Sequence, residues 1–275
     1  MTQSNKTFCG GEPFWANACV GNNGSPDYWD YAKGFSQAAN LLIDTVLLDR
    51  SMKHSVDEFV YPVCFNMRHS VELRLKGAIS ELMSIEKIRG RTLNFDLIGS
   101  HNIGNIWQFF AEKSILIDDR YVSINAQLET VIVDIAKIDA TGQTFRYPLD
   151  TESKKHLTDV SIINFVNLKR CFSALETGLD ELHRLNKYLR EEYPLGTLTK
   201  KLSRKNIFEI ASKLPNRSTW HEEPFGSVKN SLKEQFKIGS GELSESIKLI
   251  ERNFELAPMI GMSVALLGVE SARVC

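Results

Sequence analysis

Cysteine is scarce in this chain of 275 residues, and the five present form no pattern. Cys9, Cys19, Cys64, Cys171 and Cys275 include no CxxC pair, and their number is odd. A disulfide framework and an all-cysteine zinc site are therefore not expected. Free thiols suit a reducing compartment, so the expected location is cytoplasmic. Long apolar runs are missing too. The longest, Met259 to Val269, is short for a bilayer and broken by glycine, so no membrane is expected as a partner. No cationic start leads into an apolar run of the signal-peptide kind. Charge of one sign is not in excess either. Thirty-three basic residues face 34 acidic ones, which removes any global pull toward nucleic acid or membrane. The stretch Cys19-Val-Gly-Asn-Asn-Gly24 lacks the lysine and spacing of a phosphate-binding loop. His54, His156, His183 and His221 lack metal-ligand spacing, and no GxSxG occurs. Neither a metal nor a cofactor is expected.

What the chain does have is helical periodicity. Tyr31, Phe35, Ala38, Leu42 and Val46 recur at helical spacing between Asp27 and about Asp49. Pro62 suits the first turn of a second helix, running to about Ile88 with Met67, Val71, Leu75, Ala78, Leu82 and Ile85 in one stripe. Ser100 is an expected N-cap for a third helix carrying Ile103, Ile106, Trp107 and Phe110. A fourth spans about Val122 to Ile138, and a long fifth about Ser161 to Glu192, closed by Pro194 and Gly196. Strand-like alternation is rare, so the predicted class is all-α. Residues 1–195 are read as a helical bundle preceded by an irregular segment, Phe8 to Pro26, expected to pack onto the body. Residues 196–275 are read as a helical extension packed on that bundle.

Three segments carry candidate chemistry. In Arg68-His-Ser-Val-Glu-Leu-Arg-Leu-Lys76, a turn of 100° per residue puts Arg68, His69, Glu72 and Lys76 within a quarter of the helix circumference, opposite the apolar stripe. Such a face is either solvated, with an i,i+4 ion pair, or lines a polar pocket. In a pocket, His69 moves protons and Arg68 binds an anion. In Ser100-His-Asn-Ile-Gly, a capping Ser100 places His101 in the first turn, where the helix dipole favours a neutral ring able to accept a proton. Asn102 adds a donor and an acceptor. In Phe145-Arg-Tyr-Pro148, Arg146 and Tyr147 suit phosphate contact and base stacking, or a plain link between helices. Lys200, Lys201, Arg204 and Lys205 form a short basic cluster of the kind usually found on solvated helix faces.

The order of these segments resembles HEPN-like bacterial proteins: Tyr-Pro before Arg-His-x-x-Glu-Leu-x-x-Lys, then His-Asn before a helix bearing Trp, then Phe-Arg-Tyr-Pro. The likeness covers roughly residues 28–195. It implies a compact antiparallel bundle, often dimeric, and a metal-independent ribonuclease of a toxin or anti-phage system, with RNA or a partner protein as its target. Arg68, His69, Glu72, His101 and Asn102 are then the candidate catalytic set, and Lys76, Arg146 and Tyr147 the candidate RNA contacts. The family's signature, an arginine followed four to six residues later by histidine, is absent, since Arg68 and His69 are adjacent. The active groups would be split between two helices. The competing expectation is a non-catalytic helical scaffold subunit that docks through its aromatic N-terminal segment.

Overall fold

The computed structural model describes residues 5–21, 23–48, 53–150 and 152–264. The protein is all-α, and the described residues contain no strand beyond one isolated bridge, Leu149 to Lys155. Five helices form the larger body: α1 (Tyr28–Leu48), α2 (Val56–Ile88), α3 (Ile103–Ile117), α4 (Tyr121–Ile138) and α5 (Phe165–Glu192). Three shorter ones follow: α6 (Arg204–Lys213), α7 (Glu223–Phe236) and α8 (Ser240–Arg252). No described helix is long and apolar enough to cross a membrane.

The long second helix is the hub, packing against α1, α3 and α5. Its predicted stripe is buried throughout: Met67, Val71, Leu75, Ala78, Leu82 and Ile85. Fully burying each large member contributes about 1.5–3 kcal/mol. The helices α4 and α5 approach closely where Gly178 faces Leu128, since a Cβ there would stand 2.8 Å from Leu128 Cδ2.

Several boundaries differ from expectation. Helix α2 starts six residues before Pro62, with Ser55 at its N-cap position and Asp57 and Glu58 in its first turn. Acidic residues there complement the helix dipole, and the proline is carried inside the helix. Asn102, rather than Ser100, caps α3, its Oδ1 accepting from the Asn105 N–H at 3.1 Å. Asparagine and serine cap equally well. The bond from the Ile103 N–H to the Ala140 carbonyl, at 2.8 Å, holds the chain at the later position. Helix α5 starts at Phe165 behind a cap from Asn164, four residues later than predicted. The Asp49 end of the first predicted helix, the far part of Met259–Val269 and Cys275 lie outside the described residues.

One expectation about packing is corrected. The N-terminal segment does not pack onto the body: Phe8 is 85% exposed and Trp15 88%, with Phe14 and Val20 similarly open. Asn17 folds it locally instead, bonding both ways with the Gly11 backbone at 2.9 and 3.0 Å. The C-terminal helices also have a core of their own. Leu202, Ile207, Ile210, Leu232, Leu243, Ile250 and Leu256 belong to a hydrophobic cluster separate from that of α1–α5. The Arg89 guanidinium bridges the two, donating to the carbonyls of Ile117 (2.8 Å) and Lys200 (3.1 Å). The basic cluster is partly spent: Arg204 pairs with Glu255, and Lys205 with Asp119.

Candidate functional site

Helical spacing does set Arg68, Glu72 and Lys76 on one face of α2, but that face is buried and lies beside the apolar stripe rather than opposite it. Leu75 is within one residue of both Glu72 and Lys76 in angle, so the face turns inward with the stripe. Burial makes the hydrogen bonds obligatory. The Glu72 carboxylate accepts from the Lys76 ammonium at 2.9 Å, from the Arg68 guanidinium, and from His101 Nδ1 at 3.0 Å. Burial alone would raise the Glu72 pKa. The hydrogen bonds from Lys76, Arg68 and His101 outweigh it and hold the carboxyl below its ordinary 4.5.

Arg68 ties three chain segments together. Its Nε–H donates to the Asp139 carbonyl at 3.1 Å, and its Nη2 to the carbonyls of Ala140, at 2.8 Å, and His101. With Glu72 this occupies four of the five guanidinium donors. The end of α4 and the start of α3 are thereby clamped to α2. Gly142 completes the fit: its φ is +79°, and a Cβ there would stand 3.2 Å from Arg68 Nη1. Asp139 supports the same turn by accepting from the Thr144 N–H at 3.1 Å.

One member of the network faces outward. The His101 side chain is 62% exposed while its partner Glu72 is 4% exposed. A carboxylate on Nδ1 fixes the proton there and leaves Nε2 as the acceptor of a neutral ring. His101 precedes the cap of α3 rather than sitting in its first turn, so Glu72, more than the helix dipole, sets its tautomer. Asn102 stands at the head of an open groove between α3 and α4, about 670 Å³, lined also by Asn105, Gln108, Ala136 and Lys137.

The remaining predicted residues form a neighbouring cluster. His69 meets the edge of Phe35 at 4.4 Å between ring centroids and stacks on Phe65 at 5.7 Å. It makes no hydrogen bond among the described residues. Burial lowers its pKa below the ordinary 6.5; Glu72 opposes, and Arg68, Lys76 and Arg146 add to the lowering. Arg146 lies over Phe65 at 5.6 Å and over Tyr147 at 5.2 Å, and both Arg146 and Tyr147 are exposed. Glu72 therefore orients His101 and Arg68 and not His69. Lys76 has its ammonium inside, on Glu72.

Sequence reasoning missed Asp139, Ala140 and Gly142, whose only signal was a Thr-Gly-Gln turn. Cys64 lies nearby, but burial and then Asp139 push its thiol up to about 12, which removes it as a nucleophile at neutral pH. Among the described residues no three His, Cys, Asp or Glu side chains gather as metal ligands. Comparison with family models, curated proteins and solved structures returns no match for this chain.

Proposed function

We propose that the chain is a HEPN-like, RNA-directed protein that cleaves RNA without a metal ion, with His101 as the proton acceptor. The observation that carries this reading is an exposed imidazole held at Nδ1, 3.0 Å from a buried carboxylate. In the proposed step, Nε2 takes the proton of a ribose 2′-hydroxyl as its oxygen bonds to the adjacent phosphorus. The bond from phosphorus to the 5′ oxygen breaks, and that oxygen takes a proton from the imidazolium or from water. The nucleophile is internal to the substrate and already positioned, so activation by a bound metal is not required.

Roles follow from reach. Glu72 and Arg68 are positioning residues, the first for the His101 tautomer and the second for the backbone on either side of it. The Asn102 amide and the exposed Arg146 are the groups available to a phosphate, and Tyr147 offers a face for a base. Cleavage of single-stranded RNA in EDTA by the purified full chain tests this. Loss on His101→Ala supports it, and equal cleavage by that variant overturns it.

A second reading is favoured by a different observation. Four of the five Arg68 donors are taken by the protein itself, and Phe8, Phe14, Trp15 and Val20 stand open to solvent. On that reading the network only locks the turns, and the chain is a scaffold subunit of a bacterial defence complex. Wild-type protein that binds RNA or a partner without cleaving RNA would support it.

A further inference from the structure

A second polar cavity lies away from His101, where the first turn of α1 meets the middle of α2 and α5. It measures about 70 Å³ and is lined by Asp27, Trp29, Arg74, Glu81, His183 and Asn186 among others. Its wall is rigid. Trp29 and His183 stack with ring centroids 3.9 Å apart and planes within 6°. The Arg74 guanidinium lies 4.4 Å from the Trp29 ring and is anchored on Asp180 at 2.6 Å.

Three polar groups of this wall have unused hydrogen-bonding capacity. Among the described residues Arg74 bonds through Nη1 alone, to Asp180 and to the Glu176 carbonyl at 3.5 Å. Asn186 is 2% exposed; its Oδ1 accepts from the Tyr121 hydroxyl at 2.7 Å, while its Nδ2 donates to nothing among the described residues. Glu81 engages Arg190 through Oε1 at 3.0 Å, and its Oε2 is buried without a hydrogen-bond partner. Leaving a buried charged acceptor unpaired is costly, so Glu81 Oε2 marks a place prepared for a guest. Burial lowers the pKa of His183, and Lys187 adds to this, so the ring beside the guest is neutral near pH 7.

We infer that this cavity binds a small uncharged molecule carrying an N–H donor and a C=O acceptor, a carboxamide of about the size of acetamide. The N–H would serve Glu81 Oε2 and the carbonyl would accept from Asn186 Nδ2. A donor-only cation meets the Arg74 guanidinium and leaves Asn186 unmet, and an acceptor-only anion meets the Glu81 carboxylate, so an uncharged guest suits a wall that carries both signs. The volume admits roughly two waters or one such amide. The site is independent of the proposed ribonuclease centre.

The test is a titration of the full-length protein with acetamide, read by NMR at the Trp29 indole N–H and assigned with Trp29→Phe. Acetone, which matches acetamide in size and lacks the donor, is the control. Expected are a saturable shift with acetamide and at least tenfold weaker binding of acetone. Glu81→Leu should weaken acetamide at least tenfold, whereas Arg190→Ala, which spares Oε2, should leave it unchanged. A melting curve on each variant separates lost binding from lost fold, and Asn186→Ser provides a second loss-of-binding variant if Glu81→Leu is unstable. No saturable shift, equal response to acetamide and acetone, or binding unaffected in folded Glu81→Leu overturns the inference.

Discussion

The hairpin of α3 and α4 carries a buried ionic cluster at each end, about 22 Å apart along a fifteen-residue helix, and the two differ in how they end. At the turn between these helices, Asp118 accepts from Arg120 at 2.8 Å and from the Tyr193 hydroxyl at 3.1 Å, and Arg120 reaches Glu192 at 2.7 Å. At the open end, Glu72 gathers Arg68, Lys76 and His101. Both carboxyls are lowered against the pull of burial, Asp118 by Arg120 and Glu72 by Lys76 and Arg68. By buried charge alone the clusters are equivalent. Only the Glu72 cluster terminates in an exposed imidazole. A perturbed carboxylate by itself is as much a sign of architecture as of chemistry.

The largest effect expected from this difference is on activity. His101→Ala should reduce RNA cleavage roughly 10²–10⁴-fold, the span of a lost general base, with only a small fall in melting temperature from the lost bond to Glu72. Arg120→Ala at the other end should lower stability and leave the cleavage rate of folded protein intact. Kinetics below each variant's transition check both.

Stability should fall at both clusters, but not equally. Glu72→Ala leaves the buried Lys76 ammonium without its carboxylate, whereas Asp118→Ala leaves Arg120 its second partner, Glu192. The first should cost about 3–5 kcal/mol in urea unfolding, because an uncompensated buried charge remains, and the second less. A cost near zero for one of them would show that its cluster is not buried as described.

Acid should act on both through the same sign. A carboxyl whose folded pKa is depressed contributes stability above its unfolded value, and that contribution is lost as the pH falls through the folded pKa. The ordinary values are 4.5 for Glu72 and 3.8 for Asp118. Unfolding free energy should therefore fall below about pH 4.5, and Glu72→Gln and Asp118→Asn should each flatten that fall. Denaturant curves at stepped pH would show it.

Smaller effects are expected outside the clusters. Tyr147→Ala should weaken single-stranded RNA binding by about 1–3 kcal/mol, the worth of one stacked base, without affecting the fold. Unchanged affinity would take Tyr147 out of the RNA path.

The two clusters also differ in how far the sequence shows them. Arg68, Glu72 and Lys76 are legible as one helix face because their spacing is local. That the face is buried is not legible, because the groups satisfying it come from Asp139, Ala140 and His101, far along the chain. Choosing between Ser100 and Asn102 as the cap likewise depends on a carbonyl at Ala140 that periodicity cannot reveal. The second cluster was invisible for the same reason: Arg120 and Glu192 lie 72 residues apart and meet only through the fold. The all-α class and the stripe of α2 were readable because hydrophobic period is a property of each segment alone.

The most direct test of the account is single-turnover RNA cleavage in EDTA by wild type, His101→Ala and Arg120→Ala, each confirmed folded. The account predicts cleavage by wild type and Arg120→Ala and its loss in His101→Ala. Equal rates in all three, or no cleavage by the wild type, would contradict it and leave the Glu72 cluster a clamp like its counterpart.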